Sequence, residues 1–301
     1  MPQPPAKRTV FLGTSAFAVV VLRCLAQSPH RPVLVLTRPD RRRGRGRVLA
    51  QPPVAESARA LGLTVLQPER LDAGAAAAIA AVRPDAVCVC AFGAIIREPL
   101  LSAHPMLNVH PSLLPRWRGA APIERAIMAG DPETGVCVMR PTAELDAGPV
   151  ALERSEPIVA SDTYGTLSAR LAALGAKLLI QVLDADPPLR EQDPARATYA
   201  EKIGPEDRWL DPALPAASLE RRVRALEPHI GARVRAGDEA LGVRSAQVLD
   251  DGPAVGELVA DRGRLILGCA VEALELLVVH PPGGRAMDAA AYLRGRQGTR
   301  A

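Results

Sequence analysis

The chain has 301 residues, of which 48% are hydrophobic and 23% charged, with a formal charge of +4 and a pI near 9.0. These values exclude a disordered, collagen-like or disulfide-stapled chain and fit about two globular domains with a sizeable core. The mild basicity permits a nucleic-acid partner without requiring one.

The five cysteines (24, 88, 90, 137 and 269) form no C-x-x-C pair, and most sit in apolar runs. They are expected to be reduced core residues in a cytoplasmic protein, and no zinc or other metal site is predicted. Residues 1–8 carry charge but no apolar segment, so no signal peptide is expected. No uncharged apolar run approaches the length of a membrane span, about 18 residues, so no membrane partner is expected.

The first half of the chain alternates strands and helices. Arg8–Gly13 reads as a buried strand and Ala16–Gln27 as its helix. A strand at Pro32–Thr37 follows, then a helix over Pro53–Leu61 and a strand over Leu63–Leu66. An Ala-rich helix at Asp72–Val82 and a strand at Asp85–Cys90 complete the run. This alternation predicts an α/β fold, a Rossmann-like open and mostly parallel sheet with helices on both faces. The Gly13-Thr-Ser-Ala-Phe17 turn lacks the second and third glycines of a dinucleotide fingerprint, which argues against NAD.

Residues 38–47 hold six arginines (38, 41, 42, 43, 45 and 47) against one acid, Asp40. Gly44 and Gly46 predict a flexible loop. A solvated charged loop and a phosphate-contacting loop fit the residues equally well.

The stretch Met106–Ile123 organises the rest. Met106–Val109 reads as a strand end bearing Asn108 and His110, followed by a Pro-rich turn over Pro111–Pro115. Pro122 then suits the first turn of a helix, where its missing N–H has no helical partner. Further on, Thr134–Met139 is another strand and Pro141–Pro149 a loop containing Asp146. Thr163–Asp184 has helical spacing, with Asp162 or Ser161 as its cap. Residues 189–206 are Pro-rich and aperiodic and read as a linker between domains at 1–188 and 207–301. The C-terminal domain shows short β-type runs at Ala240–Leu249, Val255–Val259, Leu265–Cys269 and Ala273–Val279, and a closing helix at Met287–Leu293. The spacing predicts a small barrel or sandwich.

Asn108 and His110 alternate with Val109 on a strand and so share a face. The loop bearing Asp146 follows the next strand and can reach the same carboxyl edge of an open sheet. An amide, an imidazole and a carboxylate suit acyl transfer, as oxyanion donors and proton acceptor. Each also has a plain structural reading, the His as a hydrogen-bonding strand end and the Asp as a turn former. No G-x-S-x-G, Walker loop or metal-ligand cluster is present.

The run Asn108-Val-His-Pro-Ser-Leu-Leu-Pro-Arg-Trp-Arg-Gly-Ala-Ala-Pro-Ile123 resembles the signature of the 10-formyltetrahydrofolate-dependent formyltransferases. Phe11-Leu-Gly-Thr14, Thr37-Arg-Pro-Asp40, Leu145-Asp-Ala-Gly148, Thr198-Tyr-Ala-Glu-Lys202 and Pro282–Met287 extend the likeness in the family's order. The resemblance implies a Rossmann-like catalytic domain and a smaller C-terminal β-barrel of OB type. It implies transfer of the formyl group of 10-formyltetrahydrofolate, a co-substrate, to the α-amino group of methionine carried on initiator tRNA. It implies catalytic roles for Asn108, His110 and Asp146, and folate contact for Ser112, Leu113, Leu114 and Pro115. In the arginine-rich loop it implies tRNA contact for Arg41, Arg42, Arg43, Arg45 and Arg47, with Arg45 foremost. A cytoplasmic monomer is expected. A folate-dependent transferase for an amino sugar or nucleotide precursor, and a non-catalytic folate- or tRNA-binding protein, are the competing readings. Pro111 stands where some members have Gly, and the aromatic-rich segment usual near Glu227–Ile230 is absent.

Overall fold

The computed structural model describes residues 5–43, 46 and 48–297. In chain order it carries β1 (Thr9–Gly13), α1 (Ala16–Gln27), β2 (Pro32–Leu36), β3 (Arg41–Arg43), β4 (Val48–Ala50), α2 (Pro53–Ala60), β5 (Val65–Leu66), α3 (Ala73–Ala81) and β6 (Ala86–Cys90). It continues through α4 (Leu100–Ala103), β7 (Met106–His110), β8 (Arg118–Gly119), α5 (Pro122–Ala129), β9 (Glu133–Met139), β10 (Val150–Pro157), α6 (Tyr164–Ala185) and β11 (Tyr199–Ala200). The C-terminal part holds α7 (Ala216–Leu226), β12 (Ala232–Ala236), β13 (Glu239–Leu249), β14 (Leu258–Asp261), β15 (Arg264–Gly268), β16 (Ala273–His280), β17 (Met287–Asp288) and α8 (Ala289–Gln297).

Two compact units result. One comprises residues 1–119, 134–157 and 168–199, and the other residues 120–133, 158–167 and 200–301. The first contains a seven-stranded sheet in the order β10-β9-β7-β6-β1-β2-β5. β1 pairs in parallel with β2 and β6, and β6 with β7. The order reverses between β1 and β6, and such a reversal opens a crevice at the carboxyl ends of the strands. β1 and β6 are buried along their whole length, as their unbroken apolar sequences require for strands covered on both faces. Helix starts follow local chemistry. Ser15 accepts from Ala18 N at the head of α1, and Asp72 accepts from Ala75 N at the head of α3.

Gly13 ends β1 for packing. A Cβ there would lie 2.6 Å from Phe11 Cε1 and 3.0 Å from the Cys90 carbonyl oxygen.

Several expectations are corrected. β9 runs antiparallel to β7, with Asn108 opposite Met139 and His110 opposite Cys137. The sheet is therefore mixed, and the loop after β9 starts level with the middle of β7 rather than at its carboxyl edge. The arginine-rich stretch is not wholly loop, because Arg41–Arg43 pairs with Val48–Ala50 in a two-stranded antiparallel ladder. The cap of α6 is Thr163, whose hydroxyl oxygen accepts from Thr166 N. Asp162 instead accepts from Val159 N and the Thr166 hydroxyl. α6 is also long and apolar enough to cross a membrane, although no such segment was expected. Half of its most apolar window is buried inside the protein, including Leu171, Leu178 and Leu179, as in a core helix. Part of the stretch read as linker is ordered within the first unit, where Arg190 and Val150 exchange backbone hydrogen bonds and Thr198 O accepts from Arg118 N.

The second unit is built on one antiparallel sheet in the order β12-β13-β16-β15-β14, with β17 on β16. α7 lays Ala216, Leu219, Val223 and Leu226 on its core at helical spacing, beside Leu241, Val243, Leu274, Leu276 and Tyr292. α7 and β12, like β10 of the first sheet, were not among the elements expected from the sequence. The closing helix begins two residues later than expected, since Met287–Asp288 is strand. Arg262 and Gly263 both take positive φ, the two-residue turn that suits the twist of a β14–β15 hairpin.

Candidate active site

β7 delivers Asn108 and His110 on one face, with Val109 buried between them. His110 is itself buried. Its Nε2 lies 2.9 Å from the Trp117 carbonyl oxygen, and its Nδ1 lies 3.7 Å from Asp146 Oδ2. A carbonyl only accepts, so Nε2 carries the hydrogen and Nδ1 is the atom turned toward Asp146. At 3.7 Å that pair is a near contact rather than a hydrogen bond, and it is a charge pair only when His110 is protonated. Among the described residues, the Asn108 amide makes one side-chain contact, Nδ2 to Met139 Sδ at 3.7 Å.

The turn after β7 is locked from within. Ser112 is buried, and its hydroxyl donates to the Arg116 carbonyl oxygen at 2.6 Å. Leu114 is buried against Cys137, Met139 and Val150, and its N–H donates to Cys137 Sγ at 3.3 Å. Burial pushes the Cys137 thiol up to about 12, against the opposing pull of that N–H. Leu113 abuts Gly135. The side chains of Ser112 and Leu114 therefore shape the turn. Trp117 holds φ at 62°, which aims its carbonyl at His110, while its own N–H donates to Thr198 Oγ1 at 2.9 Å.

Asp146 reaches the site because its loop folds back. Arg140 N donates to Pro149 O at 2.9 Å and closes the loop, and Asp146 sits at φ 48°. Its Oδ2 accepts from Gly119 N at 2.9 Å. Oδ1 has no hydrogen-bond partner among the described residues. Asn108, His110 and Asp146 were expected from sequence, and His110 and Asp146 are in contact.

A further group was missed. Arg118, 2% exposed, donates from Nε to Gln192 Oε1 at 3.1 Å and from Nη1 to Glu144 Oε1 at 3.2 Å. Gln192 Nε2 donates to the carbonyl oxygens of Asp146 at 2.8 Å and Gly148 at 2.6 Å. Arg118 stood in the central motif without an assigned role. Gln192 gave no periodic signal, being in the stretch read as linker.

Arg41 and Arg42 are exposed on β3, and the partner strand exposes Val48 and Leu49. Arg43 lies on β3, whereas Arg45 and Arg47 lie outside the described residues. Among the described residues no group of three or more His, Cys, Asp or Glu side chains converges as metal ligands would.

Residues 7–183 match the family described as formyl transferase, and residues 202–297 match its C-terminal domain. A methionyl-tRNA formyltransferase of Halorhodospira halophila is 44% identical over 301 residues, covering 97% of each chain. That of Methylococcus capsulatus is 45% identical over 295 residues, covering 95% of this chain and 96% of its own. Among solved structures, methionyl-tRNA formyltransferase from Clostridium thermocellum has the same fold, with a TM-score of 0.58 at 14% identity over 85% of this chain and 97% of that one. HypX from Aquifex aeolicus in complex with tetrahydrofolic acid gives 0.65 at 16% identity; this chain spans 47% of its length and is itself 96% covered. With both parts matched and near-full-length relatives at this identity, the chain belongs to the formyl transferase family.

Proposed function

We propose that this protein transfers the formyl group of 10-formyltetrahydrofolate to the α-amino group of methionyl initiator tRNA. The observation that carries the reading is the contact of His110 with Asp146 beside Asn108, in a chain of this family whose near-full-length relatives are methionyl-tRNA formyltransferases.

The chemistry follows from the side chains. The amine lone pair attacks the formyl carbon, the new C–N bond forms, and the carbonyl oxygen becomes an oxyanion. Asn108 Nδ2, and His110 when Nδ1 is protonated, are the donors for that oxyanion. An α-amino group has a reference pKa of about 7.7–8.0, so removing its proton is a modest task near neutral pH. Asp146 takes that proton on Oδ1, since Oδ2 is held by Gly119 N. The tetrahedral intermediate collapses by breaking the bond to folate N10, which receives the proton. Because Ser112 and Leu114 turn their side chains inward, folate contact from Ser112–Pro115 falls to the backbone and to Leu113 and Pro115.

The arginine-rich segment carrying Arg41, Arg42, Arg43, Arg45 and Arg47 is read as the tRNA-contacting element, and the C-terminal sheet as an OB-type platform for the tRNA backbone. Four buried thiols, none in a disulfide, fit a reducing cytoplasm, and we read the working form as a monomer.

A formyl-transfer assay with 10-formyltetrahydrofolate compares methionyl initiator tRNA, methionyl elongator tRNA and free methionine. Transfer to the initiator tRNA alone is expected. Absence of transfer to any of the three, with folate still bound, overturns the substrate assignment. Arg45→Ala is expected to weaken the use of tRNA far more than that of folate, and equal loss on both removes the segment from tRNA contact.

A further inference from the structure

We propose that Gln192 is a positioning residue for the reaction, acting through the backbone of the Asp146 turn. The proposal rests on the reading of Asp146 as the base.

Asp146 takes a left-handed backbone conformation, which a non-glycine residue holds only when its surroundings enforce it. Beside the Arg140–Pro149 backbone bond that closes the loop, the side-chain restraint on the backbone of the turn is Gln192. A carboxamide has two N–H donors and one carbonyl acceptor. Here the nitrogen spans Asp146 O and Gly148 O, at 2.8 and 2.6 Å, so one side chain ties both carbonyls of the turn together. Its oxygen accepts from Arg118 Nε at 3.1 Å, and that guanidinium is almost wholly buried. The next residue, Gly119, donates its N–H to Asp146 Oδ2. Arg118–Gly119 therefore holds the carboxylate directly and the backbone behind it through Gln192. Loss of the amide frees the turn to rotate, and Asp146 Oδ1 swings away from the amine. A misplacement of about 1 Å is enough to cost about 100-fold in rate.

The polarity of the amide matters as much as its size. A carboxylate at position 192 would still receive Arg118 Nε. It would turn two donors into acceptors facing two carbonyls, and would add negative charge beside Asp146. That charge raises the pKa of a neighbouring carboxyl.

The test uses full-length protein with three variants, Gln192→Met, Gln192→Glu and Asp146→Asn, each checked for folding by circular dichroism and thermal midpoint. For Gln192→Met, kcat per folded molecule is expected to fall about 10- to 100-fold, with KM for tRNA and for folate little changed. For Gln192→Glu, the acid limb of the kcat–pH profile is expected to move to higher pH. A purely structural role lowers the folded fraction or the midpoint and leaves both readouts in place. Wild-type kcat in Gln192→Met together with an unmoved acid limb in Gln192→Glu, while Asp146→Asn is inactive, overturns the proposal and spares the reading of Asp146. Full turnover in Asp146→Asn overturns both.

Discussion

The carbonyl oxygen of Trp117 lies 2.9 Å from His110 Nε2 and fixes the tautomer of the ring. Trp117 is held to that task by its positive φ and by the bond from its N–H to Thr198 Oγ1. His110 thus has one nitrogen for the scaffold and one for chemistry. His110→Ala removes both, and the two effects are separable. Loss of the group at Nδ1 is expected to lower kcat by about 10²–10⁴-fold. Loss of the nearer donor to Trp117 O is expected to cost about 1–3 kcal/mol of stability. Steady-state kinetics and urea unfolding measure them independently; turnover within a few-fold of wild type would leave His110 as scaffold alone.

Gly148 is the second point at which the Asp146 loop depends on one atom. A Cβ at this position would stand 1.9 Å from the Arg140 carbonyl oxygen and 2.9 Å from Thr142 Cγ2. The first is backbone and cannot rotate aside. Gly148→Ala is therefore expected to push the turn open and release the carbonyl that Gln192 holds, lowering kcat and destabilising the protein by about 1–3 kcal/mol. Differential scanning calorimetry with initial-rate measurements checks both. An unaltered midpoint and rate would show that the loop tolerates displacement and that its closure is not tied to Asp146.

The contrast between these two residues marks what the sequence makes legible. The inner strands β1 and β6 were readable because burial on both faces demands unbroken apolar runs, as in Val10–Leu12 and Ala86–Cys90, whereas the edge strand β10, exposed over Glu153–Ser155, was not. His110 was readable because alternation puts it on the face of Asn108. The direction of β9 was not readable, since an apolar run such as Val136–Met139 looks the same whichever way it pairs. Asp146 lies beside His110 as the sequence led one to expect, but on a premise the antiparallel strand removes; the loop arrives by folding back through Gly148. Gln192 left no trace because its function is a set of hydrogen bonds from an aperiodic segment to distant carbonyls. α7 was hidden by its charge, one glutamate and three arginines at Glu220, Arg221, Arg222 and Arg224 masking the spacing of Leu219, Val223 and Leu226.

Thiol reactivity separates buried from accessible cysteines. Burial pushes Cys88 and Cys137 up to about 12 and Cys90 further still, and it also raises Cys269. The thiolate is the nucleophile, so these four are expected to resist iodoacetamide in the native state at pH 7–8. Cys24 is the half-buried exception. Intact-mass measurement should find at most one alkylation on native protein, mapped to Cys24, and five after denaturation. Native labelling at Cys137 would mean that the packing of Leu114 beneath the central turn opens in solution.

Glu275 contributes an acid-side pH dependence to the second unit. It lies on β16 at 8% exposure, opposite Gln247 on β13 and Ile266 on β15. Arg264, two residues along β15 from Ile266, reaches it diagonally across the ladder. The guanidinium donates from Nε to Oε1 at 2.9 Å and from Nη2 to Oε2 at 2.8 Å, and Gln247 Nε2 adds a bond to Oε2 at 2.7 Å. The Arg264 hydrogen bonds hold the Glu275 carboxyl below the usual range, burial opposing and Gln247 assisting. A carboxyl whose folded pKa lies below its unfolded value, about 4.3 for Glu, stabilises the fold above that value. The contribution is lost as pH falls from there through the folded pKa. Wild type should therefore exceed Glu275→Gln in stability by a constant margin from pH 6 to 8. The margin should shrink on acidification below about pH 5. Gln preserves the shape but places an amide donor against Arg264, so the variant is less stable at neutral pH and lacks this acid-dependent component. Thermal unfolding of both proteins between pH 3 and 8 measures the difference, and parallel curves across that range would remove Glu275 as its source.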